Sequence, residues 1–440
     1  MTAVAELPSS ARTVAVAVPN YAGRLIGKRL PAARWPSVVE SGMAMPDFHL
    51  VSAVDNFPVP NMEVTGLHTG FRNGVLRPDV ATLAPLPWEP GTVIVLCDTF
   101  DSAGEPVDEA PRSILRRQVA RLAERGLEAT VASELEFYLF RTSYEEAHKA
   151  AYSRVEPSYH RHPDNDILIA GYDEPFLEAL RGYLAGMGIP VVASQGEGGR
   201  GQHELNLRHS DPLGAADTHV LYKLAVKATA QSLNRSVTFM AKPSSDVGSG
   251  CHIHLSILGE GRNALGGPGG SLSHTGERFL AGLVGFAGDF TALHAPYANS
   301  YRRLRPGSWV PVNATWGFDN RTCLVRVVGS DRDLRFEFRL PGADVNPYLA
   351  AAALLASGLA GFDGELGPPP PVAGNAYESD APGLPADLTE AVQRFGDSEV
   401  ARAAFGPSVH AHLLGMVRNE RDEARAAVTD WDLQRGFENA

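Results

Sequence analysis

Three short segments of the sequence alternate charged or imidazole side chains with apolar ones. They are Arg335–Arg339, Glu134–Phe137 and Cys251–Leu255. In a β-strand, successive side chains point to opposite faces, so the polar groups of each segment would share one face. Two cations flanking one carboxylate, as in the first segment, are poorly suited to a core and well suited to holding a phosphate group and a metal ion. We therefore predict strands that carry metal-binding and anion-binding groups on one side.

A set of acidic residues and one histidine has the composition of a metal site. The set consists of Glu134, Glu136, Glu197, Glu204, His252 and Glu337. Like charges as close as Glu134 and Glu136 repel each other and, on that ground alone, would raise each other's pKa, so the pair needs a compensating cation. An oxygen-rich set suits Mg²⁺ or Mn²⁺ better than Zn²⁺, and two ions would use that many ligands most naturally. The alternative interpretation places Glu134 and Glu136 on an exposed strand edge.

The two histidines of the third segment follow a glycine-containing turn. A histidine on a strand is usually a buried core residue. Here Gly248 and Gly250 precede the strand and Ser256 continues its polar face, which favours a role at a ligand. We predict that His252 is a metal ligand and that His254 donates to a phosphate group.

Several arginines cluster near the last of these segments. They are Arg303, Arg321, Arg326, Arg335 and Arg339. One interpretation is solvated or ion-paired surface charge; the other is that guanidinium forks clamp carboxylate and phosphoryl oxygens. The cysteines at 97, 251 and 323 are far apart and lack a CxxC spacing, so neither a disulfide framework nor a thiolate zinc site is expected. Metals and arginines without a covalent nucleophile predict phosphoryl transfer governed by positioning and electrostatics.

These polar segments need secondary-structure elements that position them. Short β-branched runs separated by Gly and Pro predict a small sheet-rich N-terminal domain over residues 13–100. Further on, strand-like segments alternate with helical ones, notably Glu174–Met187, Asp211–Asn234 and Pro347–Leu359. Helices outside and polar strand faces inside predict an antiparallel or mixed sheet shaped as a cup. For residues 428–431 we predict a packing tail.

Length and charge narrow the classes of protein. A chain of 440 residues is too long for one ordinary core, which predicts two domains. A formal net charge of −12 argues against sequence-independent binding of nucleic acid. The sequence has no run of roughly eighteen apolar residues and no N-terminal leader pattern. We expect a cytoplasmic enzyme that binds neither nucleic acid nor a membrane.

Taken in chain order, the motifs resemble those of the glutamine synthetase family over roughly residues 13–437. The matching segments are Ser133–Phe137, Gly201–Glu204, Lys242–Ser256, Tyr301–Gly307, Asn320–Arg321 with Arg326, Arg335–Arg339 and Asn346–Tyr348. The resemblance implies an α+β fold: a β-grasp domain over residues 13–105, and a catalytic domain over 106–440 with a curved antiparallel sheet flanked by helices. It also implies self-association into a ring, with a dodecamer expected and each site between two subunits.

The resemblance implies roles for individual residues. One metal ion would be held by Glu136, Glu197 and Glu204, and a nucleotide-side ion by Glu134, His252 and Glu337. ATP, the co-substrate, would face His254, Ser256, Arg326 and Arg335. Glutamate would bind Gly248, Arg303 and Arg339. Arg321 would stabilise the transferring phosphate, so Arg303, Arg321 and Arg339 are the predicted catalytic residues.

The sequence departs from the ammonia-using members of that family at the acceptor side. There, a flap glutamate helps to deprotonate ammonium, whereas this chain has Trp309 after Pro306-Gly307-Ser308. The segment Asn61–Phe71 lacks the family's Asp-Gly-Ser-Ser element, whose aspartate helps to hold ammonium. Val247 replaces an asparagine usual at the glutamate site. Trp309 could line a larger and less charged acceptor pocket.

The resemblance and these departures predict an ATP-dependent ligase that joins glutamate to an organic amine, such as a polyamine, ethanolamine or another monoamine. One alternative is ordinary glutamine synthesis from ammonia. The other is a catalytically inactive family member that serves as a structural or regulatory ring. Intact metal and arginine sets argue against the inactive ring, because buried charges are costly unless they are used.

Overall fold

The computed structural model describes residues 6–439, which contain two β-sheets and their surrounding helices. The first sheet is six-stranded. Its strands are β1 (Thr13–Pro19), β2 (Leu25–Pro31), β3 (Met43–Pro46), β4 (Asn73–Pro78), β5 (Ala84–Pro85) and β6 (Thr92–Phe100). The order is β2-β1-β6-β4-β3, with β5 paired to β6; β1 runs antiparallel to β2 and parallel to β6. The predicted N-terminal β-grasp sheet is confirmed.

Both faces of this first sheet are buried, which explains its continuous apolar strands. On β1, Val14 and Val16 pack with Trp35 in a core confined to the N-terminal part. The alternate residues Ala15 and Ala17 belong to the main core, which continues into the rest of the chain. Because successive side chains alternate between faces, strand β1 contributes side chains to both cores. The assignment of residues 13–105 and 106–440 as separate domains stays a prediction.

The second sheet is nine-stranded and carries the polar segments. Its strands are β7 (Leu127–Phe140), β8 (Val191–Gly196), β9 (Gln202–Leu207), β10 (Ser236–Thr238), β11 (Cys251–Gly259), β12 (Arg262–Asn263), β13 (Trp316–Phe318), β14 (Val325–Val328) and β15 (Arg335–Phe338). The order is β13-β14-β15-β11-β7-β9-β8, with β10 on β7 and β12 on β11. The pairings are antiparallel as predicted, except that β13 and β14 are parallel.

The register of this sheet brings polar residues side by side. His252 pairs with Glu134, and His254 pairs with Glu337 on the other neighbour of β11. Glu136 pairs with Glu204 on β9. Residues opposite each other in an antiparallel pair have Cβ atoms about 4.5–5.5 Å apart. The polar faces of the strands therefore form one continuous surface.

Helices surround both sheets; the first packs on the N-terminal sheet, and later ones cover the apolar side of the second sheet. They are α1 (Trp35–Ser41), α2 (Pro111–Ala123), α3 (Tyr144–Lys149), α4 (Ile167–Ala170), α5 (Glu174–Gly186), α6 (Pro212–Ser232), α7 (His274–Gly285), α8 (Ala287–His294), α9 (Ala298–Tyr301), α10 (Pro347–Asp363), α11 (Leu388–Asp397), α12 (Glu399–Phe405), α13 (Pro407–Ala426) and α14 (Asp430–Gly436). The predicted helices in α5, α6 and α10 are confirmed. Both α6 and α10 begin with proline after a side-chain cap, from Asp211 and Asn346 respectively.

A buried arginine ties the first sheet to the helices of the second. Arg112 of α2 is 1% exposed. It pairs with Asp79 at 2.8 Å, Asp98 at 3.0 Å and Asp217 of α6 at 2.8 Å. Removing one partner of a buried ion pair costs about 3–5 kcal/mol, so this network fixes how the N-terminal sheet sits on α2 and α6.

The C-terminal segment differs from the predicted packing tail. Val428 is 75% exposed and Trp431 is 63% exposed, and α14 buries none of its residues against the described chain. Among the helices of residues 6–439, none has the length and apolar character needed to cross a bilayer.

Candidate active site

One cavity of about 1520 Å³ collects polar residues from the second sheet and its loops. The predicted metal ligands that line it are Glu134, Glu136, Glu197, Glu204, His252 and Glu337. The predicted nucleotide-binding residues that line it are His254, Ser256, Arg326 and Arg335. The predicted substrate-binding and catalytic residues that line it are Gly248, Arg303, Trp309, Arg321 and Arg339. The fold thus brings every predicted site residue to one cavity, while their individual roles stay predictions.

Glu134, His252 and Glu337 form a group that could hold a metal ion. Each offers one ligand atom, and these atoms lie within 4.8 Å of one another. Nδ1 of His252 lies 3.4 Å from Oε2 of Glu134 and 3.5 Å from Oε1 of Glu337. Burial, together with the nearby charge of Arg339, lowers the pKa of His252 to about 4. The imidazole is therefore neutral in neutral solution, which is the form that binds metals.

Glu136, Glu197 and Glu204 form a second acidic group in the same cavity. Burial, followed by the Glu197 charge, raises the pKa of Glu136 to about 7. Burial, with the charges of the neighbouring glutamates, raises the pKa of Glu204 to about 9. A divalent cation would supply the countercharge that these buried carboxylates lack, so the group fits a metal ion chemically. Within residues 6–439, however, only the first group meets the 4.8 Å spacing.

Amide side chains hold the carboxylates of the second group in place. The bonds run from Gln202 to Glu136 at 2.6 Å, from Gln195 to Glu197 at 2.9 Å and from Asn206 to Glu204 at 2.9 Å. Sequence reasoning assigned these amides no role, because an uncharged amide leaves no charge pattern. The position of Gln195 and Gln202 on either side of the glycine-rich turn 196–201 is the one signal that could have identified them.

Glu134 differs from the expectation that neighbouring glutamates raise each other's pKa. Burial opposes its ionisation, yet hydrogen bonds with His252 and His254 hold the pKa of its carboxyl well below the ordinary value. Nε of Arg335 donates to Nδ1 of His254 at 3.1 Å, and Nε2 of His254 lies 2.8 Å from Oε1 of Glu134. Because Nδ1 accepts a bond, Nε2 must carry the proton and donate to Glu134. The one N–H of His254 is thus already donated to Glu134, and its predicted donation to a phosphate group requires that bond to break.

Glu337 anchors two of the predicted arginines. It is 1% exposed, accepts a bond from Nη1 of Arg326 at 2.7 Å and pairs with Nη1 of Arg339. Burial opposes its ionisation, but the neighbouring His252 and Arg339 lower its pKa. An ionised carboxylate has about four lone-pair sites, so Glu337 can orient both guanidinium groups and still offer an oxygen to a metal.

Arg303 approaches Glu136 where two glycines leave room. It is 4% exposed, and its Nη1 donates to the Leu340 carbonyl at 2.8 Å. A Cβ on Gly250 would lie 2.9 Å from Nη2 of Arg303 and 3.1 Å from Oε1 of Glu136, and a Cβ on Gly248 would lie 2.8 Å from Cγ of Arg303. Any larger residue would displace the guanidinium group, so the close approach requires glycine at both positions.

Trp309 lies on a turn at the cavity wall, with its backbone in the left-handed region. Its φ is 61°, it follows Gly307 at φ 78°, and its side chain is 66% exposed. Nη2 of Arg339 donates to the Trp309 carbonyl at 3.3 Å. The segment is thus tied to a predicted glutamate-binding residue through its backbone, and Trp309 stays largely exposed at the cavity wall. Arg321 is exposed at this cavity.

Comparison with known proteins identifies the family. Residues 108–436 match the family model described as glutamine synthetase, catalytic domain. The chain belongs to the glutamine synthetase family. That membership accounts for the cavity built from antiparallel strands whose acidic, imidazole and guanidinium groups face one another.

Individual members of the glutamine synthetase family are similar over most of the chain. The γ-glutamylethanolamide synthetase GlnA4 of Streptomyces coelicolor is 44% identical over 429 residues, which cover 97% of this chain and 92% of that protein. A glutamate–isopropylamine ligase of a Pseudomonas species is 36% identical over 385 residues, covering 86% and 84% of the two chains. The solved structure of GmaS with ADP has a TM-score of 0.85 at 27% identity and covers 98% of this chain and 97% of that one.

Proposed function

We propose that the protein is an ATP-dependent ligase that activates the γ-carboxylate of glutamate as γ-glutamyl phosphate and joins it to an organic primary amine. The observation that carries the proposal is Trp309 at the flap position, in a cavity that keeps its acidic, histidine and arginine groups. Two of the similar proteins are named for ligation of ethanolamine and isopropylamine. The acceptor class is accordingly a polyamine, ethanolamine or another monoamine.

The part of the cavity lined by the predicted nucleotide-binding and metal-binding residues would hold ATP and divalent metal ions. Glu134, His252 and Glu337 would bind the nucleotide-side ion, and the second acidic group the other. Mg²⁺ or Mn²⁺ fits these oxygen-rich sets and, when bound, supplies countercharge to the phosphate oxygens. Arg335 is held against His254 by a hydrogen bond, so a guanidinium donor for phosphate oxygens would be in place before ATP arrives. His254 would have to release Glu134 before it could donate as well.

The arginines would position glutamate and stabilise the transferred group. Arg303 and Arg339 are buried guanidinium groups whose forks suit a carboxylate, and Gly248 leaves space beside them. A γ-carboxylate oxygen would attack the terminal phosphorus of ATP, and ADP would leave. Arg321, exposed at the cavity, would neutralise charge on the phosphoryl group during transfer.

The second step would consume the activated glutamate. The lone pair of the amine nitrogen would attack the γ-carbonyl carbon, and phosphate would leave with the electrons of the broken C–O bond. The nitrogen would lose a proton, which gives the amide. Trp309 and Val247 line the cavity and are 66% and 39% exposed. Their apolar surfaces suit an acceptor with a carbon chain better than ammonium.

We also propose that the protein is located in the cytoplasm, where ATP and glutamate are available. A second part of the proposal is self-association into a ring, with twelve copies as the expected number. Support for self-association comes from the C-terminal segment, where Val428, Trp431, Leu433 and Phe437 are 75%, 63%, 49% and 84% exposed. Apolar residues exposed together on one segment are typical of a contact surface. Light scattering after size-exclusion chromatography measures the copy number directly.

The test is ATP-dependent and glutamate-dependent phosphate release with a panel of acceptors: ammonia, putrescine, spermidine, ethanolamine and short alkylamines. We expect an organic amine to exceed ammonia in kcat/KM. Ammonia as the best acceptor would establish ordinary glutamine synthesis instead. Release with none of them, by protein that binds ATP, would favour the inactive ring.

A further inference from the structure

A closed loop of residues 159–172 lies beside the second acidic group. At its base, Oγ of Ser158 donates to Oδ2 of Asp173 at 2.5 Å. Asp173 is 3% exposed and also contacts Nε2 of His203 at 2.9 Å and Nη1 of Arg235 at 3.1 Å. The two ends of the loop are therefore fixed to each other and to strand β9.

The tip of this loop is docked on the turn that carries Glu197. The Asp164 amide donates to the Glu197 carbonyl and the Asn165 amide to the Gly196 carbonyl, both at 2.9 Å. A Cβ on Gly196 would lie 2.4 Å from Cβ of Pro163, so the docking depends on glycine there. The position of the tip relative to the acidic group is therefore set by backbone contacts.

The docking brings the side chains of Asp164 and Asn165 into the cavity wall. Both residues have left-handed backbones, with φ of 35° and 67°. The Asp164 charge is close enough to Glu197 to contribute to its raised pKa, after burial itself. Within residues 6–439, the Asp164 carboxylate has no hydrogen bond or ion pair of its own. It is a carboxylate at the cavity wall without a partner.

Asp164 is also the acidic residue beside the second acidic group that belongs to neither predicted metal-binding group. Besides the two metal-binding groups, the acidic residues lining the cavity are Asp164 and Asp333. Asp333 belongs to the arginine-rich nucleotide side, where Nη1 of Arg335 donates to its carbonyl at 3.5 Å. On the glutamate side, Val247 adjoins the same turn as Asp164, since a Cβ on Gly198 would lie 3.6 Å from its Cγ2.

A primary amine is a cation in neutral solution and needs a counterion to enter such a cavity, and Trp309 supplies none. We propose that Asp164, presented by the 159–172 loop, binds the ammonium group of the incoming amine, while Val247 contacts its short alkyl chain. The substrate class is thus a protonated primary amine with a short carbon chain. This inference rests on the proposed function.

The test compares Asp164→Asn with wild type on a charged and an uncharged acceptor. Asparagine tolerates a left-handed backbone, so the substitution removes charge and keeps the loop. For ethanolamine, which is cationic at neutral pH, we expect KM to rise roughly 2–5-fold with little change in kcat, as for a solvent-accessible charge contact. For hydroxylamine, which is largely uncharged at neutral pH, we expect no change in kcat/KM. Salt should raise the ethanolamine KM of wild type and not that of the variant.

Glu156→Gln is the matched control, because Glu156 is exposed, lies just before the loop and does not line the cavity; its KM values should stay at those of wild type. Equal losses on both acceptors in Asp164→Asn would make Asp164 a structural residue and overturn the inference, as would an unchanged ethanolamine KM. If wild type releases phosphate with none of the amines, the proposed function fails and this inference with it.

Discussion

Metal binding by the second acidic group should release protons, and its strength should therefore depend steeply on pH. In the metal-free protein, the pKa of Glu204 is raised to about 9 and that of Glu136 to about 7. A metal ion binds the ionised carboxylates, so it must displace any proton they hold. Between about pH 7 and 8 Glu136 is largely ionised while Glu204 is still protonated, and the apparent dissociation constant should fall about tenfold for each unit by which the pH rises. Below about pH 7 Glu136 adds a second proton, and the slope should steepen.

The same shifts predict how stability depends on pH. Both folded-state pKa values lie above the ordinary value of 4.5. At a pH between the ordinary value and the folded-state value of each group, the unfolded chain has therefore lost a proton that the folded protein keeps. Metal-free protein should then lose stability as pH rises toward Glu204's folded pKa, by at most about 1.4 kcal/mol per pH unit for each such proton. Bound metal removes this loss. The gain in Tm on adding Mn²⁺ should accordingly be larger at high pH than at low pH.

The assay is Mn²⁺ titration of the metal-free protein by calorimetry, at several pH values and constant ionic strength. Buffers of different ionisation enthalpy give the number of protons released. Glu204→Gln keeps the shape of the side chain but removes the titrating group, so its slope should be smaller by about one proton. Glu156→Gln makes the same charge change outside the cavity and should keep the wild-type slope. A pH-independent affinity in wild type, or an unchanged slope in Glu204→Gln, would refute the reasoning.

Three further substitutions test individual roles. Glu337→Ala should leave the protein folded but lower turnover at least roughly 10–100-fold, because it removes a metal ligand and releases two guanidinium groups; near-wild-type activity in saturating Mg²⁺ would exclude the ligand role. Arg339→Lys should raise the KM for glutamate and leave that for ATP nearly unchanged, since an ammonium group cannot grip a carboxylate in two places; an unaltered glutamate KM would remove Arg339 from the substrate site. Trp309→Glu should raise the ratio of ammonia to organic-amine activity, by less than the roughly 10²–10⁴-fold of a fully positioned base; rates that fall in parallel would make Trp309 a packing residue.

Much of the fold could be predicted from the sequence because it rests on short-range patterns. The alternation in Arg335–Arg339 predicted that Phe336 and Phe338 are buried on one face, and both are nearly inaccessible. The stretch Asp211–Asn234 was predicted to be helical, and in the structure the Asp211 side chain caps the first turn of that helix. Such features depend on neighbours within a few residues, so they are visible in a single sequence.

Other features depend on which distant segments meet. Glu134 and Glu136 look equivalent in sequence, yet of the two only Glu134 forms hydrogen bonds with His252 and His254, so its pKa falls while that of Glu136 rises. Asp164 carries no motif and reaches the cavity only because its loop docks on residues 196–197. No local pattern encodes either arrangement.

The sequence by itself therefore determined the inventory: which residues could bind metal, phosphate and carboxylate, and which strand face each occupies, because side-chain direction alternates along any strand. The tertiary structure alone decided the pairing and the protonation. Strand register selected which carboxylate faces which histidine. Burial set how far each neighbouring charge shifts the pKa of a carboxyl group, since electrostatic interactions depend on distance and on exclusion of water.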